Sequence, residues 1–109
     1  MNDNFYEWFG NSIVVDDDNK PLICYHGTDN EFNEFKISKY GSNGSGIYFT
    51  PYKEIAKMSG KRLIEAYIKI ENKQDGIILG YEVIVKKPQN IKAIDNDGSW
   101  DIDDTNIYS

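Results

Sequence analysis

Apolar and polar positions alternate along this chain in short blocks bounded by turn-forming residues. Strands are predicted at residues 12–15, 22–25, 47–49, 63–70, 76–79 and 82–85, where the runs are apolar or β-branched. The first two runs flank a spacer rich in Asp, Asn and Pro at residues 16–21, which predicts a hairpin. The chain is therefore expected to be rich in short strands.

Two short helices are predicted beside these strands. The aromatic segment at residues 4–9 stops at Gly10, a pattern typical of a helical turn docked on a sheet as a lid. A second helix is predicted to open at Thr50, because a capping hydroxyl precedes a proline there, and to continue to about residue 61. Its inward side chains would be Ile55 and Met58.

Two segments show no hydrophobic period. Residues 40–46 are rich in Gly and Ser and predict a flexible loop that can close over a ligand. The polar residues 94–109 predict an extended tail, held to the core by Trp100, Ile102 and Ile107.

Length and composition place the chain among small globular proteins. Its 109 residues suit one domain over residues 1–109, and 39% hydrophobic with 14% aromatic residues is too rich for disorder. No apolar run is long enough to span a membrane and no export signal opens the chain, so a cytoplasmic location is expected. The net charge of −6 repels phosphate backbones and argues against a nucleic-acid partner.

The sequence offers no convincing cluster of metal ligands. Cys24 and His26 are the only residues of their types, which excludes an internal disulfide and a cysteine cage for a metal. The three aspartates at residues 16–18 lack the other ligands of a calcium loop and are interpreted as a solvated turn. The basic side chains most densely grouped are interpreted as a solvated helix face: Lys53, Lys57, Lys61, Arg62 and Lys69.

Three residues are candidates for chemistry, although each alone would more often be structural. His26 ends an apolar run and is followed by Gly27, whose missing side chain leaves the backbone open to a planar amide. Tyr48 offers a ring face on the predicted strand that follows the predicted flexible loop, and Glu82 begins a predicted apolar strand.

Taken together, these segments resemble the ADP-ribosyltransferases of the His-Tyr-Glu type, particularly the small phage and mobile-element domains of polyvalent proteins. The likeness covers nearly the whole chain and rests on these motifs: WFGNS at 8–12, KPL at 20–22, YHGT at 25–28, GIYFT at 46–50, DGII at 75–78, EVIV at 82–85, Pro88, NIKA at 90–93 and DGSWD at 97–101. The resemblance implies an α+β fold of split antiparallel β-sheets, with short flanking helices and a central NAD cleft.

The resemblance also implies the role of each site residue. His26 would hold a ribose hydroxyl, Gly27 the nicotinamide amide, Tyr48 would stack on the nicotinamide, and Glu82 would serve the reacting ribose. Further NAD-binding positions implied by the motifs are Thr28, Ile47, Phe49 and Ser59. The implied activity is mono-ADP-ribosylation of a protein acceptor with NAD as co-substrate and no metal, in the host cytoplasm if the chain is phage-encoded.

Departures from the family pattern leave alternatives open. Ser59 stands where many relatives carry a second stacking aromatic, and the segment between Thr50 and Glu82 is short, which favours transfer of one ADP-ribose over polymer growth. Gly80 gives no support to arginine as the acceptor, because toxins that modify arginine place a second acidic or amide side chain there. The alternatives are a non-catalytic module that binds NAD, ADP-ribose or a protein, and an acidic decoy of a nucleic-acid-binding protein.

Overall fold

The computed structural model describes residues 3–37, 44–96 and 100–108, in which the strands form two antiparallel three-stranded sheets. In chain order the strands are β1 (Cys24–Thr28), β2 (Ile47–Phe49), β3 (Arg62–Ile68), β4 (Gly76–Leu79), β5 (Glu82–Val85) and β6 (Ile91–Ala93). The first sheet has the order β1-β3-β6, and the second has the order β2-β5-β4. With the short helices described below, this is the predicted α+β class.

A pair of backbone hydrogen bonds joins the two sheets. The N–H of Tyr25 donates to the carbonyl of Thr50 at 2.7 Å, and the N–H of Thr50 donates back to the carbonyl of Tyr25 at 3.0 Å. This contact lies at the free edge of β1 and just beyond the end of β2. It therefore brings the segments that follow Tyr25 and precede Thr50 side by side.

The main hydrophobic core lies between the sheets. Alternate residues of each strand point inward, as a sheet with one buried face requires. The inward residues of this core are Cys24, Ile64, Ala66, Ile68 and Ile91 from the first sheet, and Ile47, Phe49, Val83 and Val85 from the second. Full burial of each large aliphatic side chain stabilises the fold by roughly 1.5–3 kcal/mol.

A second, aromatic cluster covers the other side of the first sheet. Helix α1 (Asp3–Phe9) presents Phe5, whose ring lies 4.9 Å from that of Tyr67 on β3. Trp100 closes the cluster, with its ring 5.1 Å from that of Phe5. The helix stops at Gly10, which takes a φ of +55°, so the predicted N-terminal helix and its stop signal are confirmed.

The second helix is shorter than predicted. Helix α2 (Lys53–Ala56) passes into a single 3₁₀ turn (Lys57–Ser59), and Met58 is 84% exposed, so its predicted inward position is wrong. The helix cannot continue because Gly60 lies directly against the backbone of Thr28 on β1. A Cβ on Gly60 would lie 2.3 Å from the Thr28 carbonyl carbon.

The predicted N-terminal hairpin is only partly formed. Residues 12–15 form no strand, and only a single antiparallel bridge joins Val15 to Pro21 across the turn. The side chain of Ser12 explains this, because its hydroxyl donates to the carbonyl of Ile68 and accepts from the N–H of Ile70. These bonds attach residues 12–15 to the end of β3, so that they do not pair as a strand with residues 22–25.

The C-terminal part also departs from the prediction. β6 is not among the strands that the pattern predicts, and it pairs with β3 through the register Ile68↔Ile91. In the tail, Ile107 is fully buried and Trp100 is half-buried, but Ile102 is 43% exposed and does not anchor it. No helix in the described part of the chain is long and apolar enough to cross a membrane.

The basic residues do not share one helix face. Only Lys53 and Lys57 are helical, Arg62 begins β3, and Lys69 is buried with its ammonium 3.5 Å from the carboxylate of Glu71. The interpretation as a single solvated helix face is therefore wrong, because the helical segment ends at Ser59, before Lys61, Arg62 and Lys69.

Candidate functional site

Two neighbouring cavities open where β1 and β2 approach each other, and both are lined by His26 and Tyr48. The larger has a volume of about 450 Å³ and is also lined by Thr28, Asn30, Phe32, Glu34, Phe35, Lys36, Gly46 and Ile47. The smaller has a volume of about 360 Å³ and is also lined by Tyr25, Gly27, Phe49, Thr50, Ile55, Ala56, Ser59, Tyr81 and Glu82. These volumes lie in the range of small-molecule sites.

The register of the second sheet places Tyr48 and Glu82 on one face. Tyr48 on β2 lies opposite Ile84 on β5, and Glu82 stands two residues before Ile84. Since side chains alternate along a strand, all three project from the face opposite to the one that carries Phe49 and the core. The carboxylate and the phenol ring thus line the same cavity although 34 residues separate them.

His26 connects the two sheets through its side chain. Its Nδ1 lies 2.7 Å from the backbone carbonyl of Tyr48, and its ring packs edge-on against Phe35 at 4.9 Å. A carbonyl oxygen only accepts, so Nδ1 carries the proton and donates. The neutral ring therefore has an acceptor at Nε2, and no described residue forms a hydrogen bond with that atom.

The surroundings of His26 keep its ring neutral. Burial lowers the pKa of His26 below its usual 6.5, and the positive charge of Arg62 acts in the same direction. The hydrogen bond to the carbonyl of Tyr48 opposes this change but does not reverse it. At neutral pH the side chain is thus an imidazole that can accept a hydroxyl proton at Nε2.

The backbone of Gly27 faces away from its own sheet. Tyr25 exchanges both hydrogen bonds with Thr50 on the free side of β1, and the backbone groups of an antiparallel strand alternate in direction. The N–H and carbonyl of Gly27, two residues later, therefore point to the same free side as those of Tyr25. They are available to a ligand with an adjacent donor and acceptor, such as a carboxamide.

The reason for a glycine at position 27 differs from the expected one. A Cβ there would lie 1.8 Å from the carbonyl oxygen of Ala56, at the end of α2. The expectation that the missing side chain leaves room for a ligand is therefore wrong, because the end of the helix occupies that space. Gly27 instead permits α2 to pack against β1 and to form one wall of the smaller cavity.

Tyr48 is held by both its backbone and its hydroxyl group. Its carbonyl accepts the hydrogen bond from His26, and its hydroxyl donates to the carbonyl of Gly44 at 2.6 Å. Lys86 donates to the carbonyl of the next residue, Ser45. The end of the predicted flexible loop thus contacts the site, whereas residues 40–43 lie outside the described part of the chain.

The remaining candidate residues divide between the two cavities. Thr28 and Ile47 line the larger one but are mostly buried, at 8% and 3% exposure. Phe49 and Ser59 line the smaller one, where Phe49 also belongs to the core and Ser59 is exposed. All seven candidate NAD-binding residues and Glu82 therefore line at least one of the two cavities.

Several residues that line the cavities were not predicted from the sequence. Tyr81 could have been found, because it directly precedes Glu82 in a two-residue turn and must lie close to it. Phe32 and Phe35 carry no such signal, since they belong to a segment without regular structure. Within the described ranges, no group of three or more His, Cys, Asp and Glu side chains is arranged to hold a metal ion.

Comparison with known proteins gives one match. A family model described as ADP-ribosyltransferase in polyvalent proteins matches residues 16–78, which is more than half of the 109-residue chain. The matched stretch contains His26, Gly27, Tyr48 and Ser59 and ends four residues before Glu82. No curated protein and no solved structure matches the chain.

Proposed function

We propose, since this chain belongs to the ADP-ribosyltransferases of polyvalent proteins, that it cleaves the bond between nicotinamide and ribose in NAD and transfers one ADP-ribose to a protein acceptor. The observation that carries the proposal is the shared cavity. His26, Tyr48 and Glu82, from three different strands, line one cavity of a size suited to a nucleotide fragment.

The smaller cavity suits the nicotinamide riboside half of NAD. The free N–H and carbonyl of Gly27 match the carboxamide, and the ring of Tyr48 offers a stacking surface for the pyridinium. The neutral His26 can accept a hydrogen bond from a ribose hydroxyl at Nε2. The carboxamide and one ribose hydroxyl would thus each meet a complementary group of the protein.

The larger cavity suits the adenosine half. It adjoins the smaller one through His26 and Tyr48, so one extended dinucleotide can occupy both. Phe32 and Ile47 supply apolar walls for a base, and Lys36 is a cation among the described residues that line this cavity. This division would hold the scissile bond beside Tyr48 and Glu82.

Glu82 would stabilise the transition state. Cleavage of the nicotinamide–ribose bond passes through an oxocarbenium-like sugar, as in glycoside hydrolysis. A fixed carboxylate that accepts a hydrogen bond from the ribose 2′-hydroxyl interacts more strongly as positive charge develops on the ring. The nicotinamide leaves as a neutral molecule, and an acceptor nucleophile takes its place on the ribose carbon and releases its proton to the solvent.

A non-catalytic NAD-binding module is the second candidate. Two observations favour it: Ser59 offers no second ring to the smaller cavity, and the family match stops before Glu82. Such a module would bind NAD or ADP-ribose at the same cavities without releasing nicotinamide.

Nicotinamide release separates the two candidates. The protein would be incubated with NAD and a bacterial lysate, and free nicotinamide and ADP-ribosylated protein would be measured for the wild type, Glu82→Gln and Glu54→Gln. Glu54 is a matched control because it is an exposed glutamate outside both cavities. We expect release by the wild type and the control and a loss of about a hundredfold in Glu82→Gln. Equal rates in all three would refute the enzymatic proposal.

A further inference from the structure

The turn between β4 and β5 carries Tyr81, an aromatic residue that is half-exposed and does not belong to the hydrophobic core. Tyr81 is 51% exposed and lines the smaller cavity beside Glu82. Among the described residues, its hydroxyl forms no hydrogen bond and its ring no aromatic contact. A ring of this size on the surface of a cavity is therefore available to a ligand.

The turn fixes where this ring can lie. Leu79 on β4 pairs with Glu82 on β5, so Gly80 and Tyr81 form a two-residue hairpin turn. Gly80 takes a φ of +60° and Tyr81 a negative one, the pattern of a type II′ turn, which matches the twist of the paired strands. The tight two-residue turn therefore holds Tyr81 directly beside Glu82.

Among the described residues, the end of α2 and its 3₁₀ turn supply no aromatic side chain to the cavity. Ala56 at the end of α2 and Ser59 in the 3₁₀ turn line the cavity, and neither side chain can stack on a planar ring. Tyr25 and Phe49 line it as well, but Tyr25 is less exposed than Tyr81, and Phe49 is 2% exposed with its ring engaged with His26 and Phe35. Apart from Tyr48, Tyr81 is therefore the most exposed aromatic residue among the described residues that line the cavity.

We propose that Tyr81 forms the second aromatic wall of the nicotinamide site, so that the nicotinamide ring lies between Tyr48 and Tyr81. This assignment rests on the proposed function. It makes Tyr81 a substrate-contacting residue supplied by the β4–β5 hairpin, which also carries Glu82. The 3₁₀ turn offers only Ser59 for this role.

The test compares ligands that contain the nicotinamide ring with one that lacks it. Affinities for NAD, free nicotinamide and ADP-ribose would be measured by calorimetry for the wild type, Tyr81→Ala, Tyr81→Phe and Tyr52→Ala. Tyr52 is a matched control, because it is similarly exposed at 57% and lines neither cavity. Unchanged circular dichroism would establish that each variant folds.

Stacking predicts a selective loss. Tyr81→Ala should weaken NAD and nicotinamide binding roughly three- to tenfold and leave ADP-ribose binding unchanged, since a stacked aromatic pair contributes a modest, ring-specific affinity. Tyr81→Phe and Tyr52→Ala should bind all three ligands as the wild type does.

Other outcomes overturn the assignment in distinguishable ways. Unchanged affinities in Tyr81→Ala would refute it while leaving the proposed function intact, and an equal loss for ADP-ribose would show that Tyr81 only supports the shape of the cavity. A loss in Tyr81→Phe as large as in Tyr81→Ala would assign the effect to the hydroxyl and refute stacking. If the wild type bound neither NAD nor ADP-ribose, the proposed function itself would fail, and this assignment with it.

Discussion

The contact between Gly27 and the end of α2 gives a prediction whose size follows from the structure. In Gly27→Ala the new Cβ would lie 1.8 Å from the carbonyl oxygen of Ala56, whereas real Cβ atoms essentially never come within 3.0 Å of such a neighbour. The two segments must therefore separate by about 1.2 Å. The obstacle is backbone, so a rotation of a side chain cannot relieve it.

This separation has a cost in both stability and binding. Overpacking of this kind destabilises proteins by about 1–3 kcal/mol, which lowers the melting temperature of a domain this size by about 5–15 °C. Because Ala56 and Ser59 line the smaller cavity, we also expect weaker nicotinamide binding at temperatures where the variant is folded.

Thermal unfolding followed by circular dichroism measures the effect, and a double variant tests its cause. Ala56→Gly should not rescue Gly27→Ala, since trimming the side chain at position 56 leaves its carbonyl in place. A Gly27→Ala variant with the wild-type melting temperature and nicotinamide affinity would refute the close packing described here. Full rescue by Ala56→Gly would assign the strain to the side chain instead.

Two further predictions concern groups buried near the site. The pKa of His26 is lower in the folded protein than in the unfolded chain. Between pH 6.5 and the folded pKa, the unfolded chain therefore binds more protons than the folded protein. The free energy of unfolding should fall as the pH drops through that range. Urea unfolding at a series of pH values should show this slope in the wild type and a smaller one in His26→Gln, and equal slopes would contradict it. Burial raises the pKa of the Cys24 thiol to about 12. Iodoacetamide at pH 8 should therefore modify Cys24 only after the protein unfolds. Rapid labelling of the native protein would contradict the burial of this side chain.

Local sequence patterns predicted most of the strands for a physical reason. β3, β4 and β5 were predictable because each is an apolar run between turn residues, and the glycine at position 80 permits the tight turn that joins the last two. β6 was not predictable from the sequence. Its three residues directly follow a turn that contains a proline, and they are too few to show an alternation of apolar and polar side chains.

The errors arose where tertiary contacts override local preference. The hydroxyl of Ser12 attaches its segment to β3, which no local pattern can show. The second helix ends early because Gly60 meets Thr28, a neighbour distant in sequence, and Met58 consequently faces solvent. Helix propensity alone favours continuation through Met58 but not through Gly60.

The candidate site was predictable only through its resemblance to a family. Spacing alone does not show that His26, Tyr48 and Glu82 meet, because their convergence depends on the junction between the sheets and on the β2–β5 register. The role of Gly27 in packing became visible only in three dimensions.

A crystal structure of Glu82→Gln with NAD tests the central proposal most directly, because the variant should bind the dinucleotide without consuming it. We predict one NAD across both cavities, with its carboxamide on the backbone of Gly27 and a ribose hydroxyl within about 3.2 Å of His26 Nε2. The 2′-hydroxyl beside the scissile bond should lie equally close to the side chain at position 82. NAD bound elsewhere, or with its ribose beyond the reach of positions 26 and 82, would contradict the account.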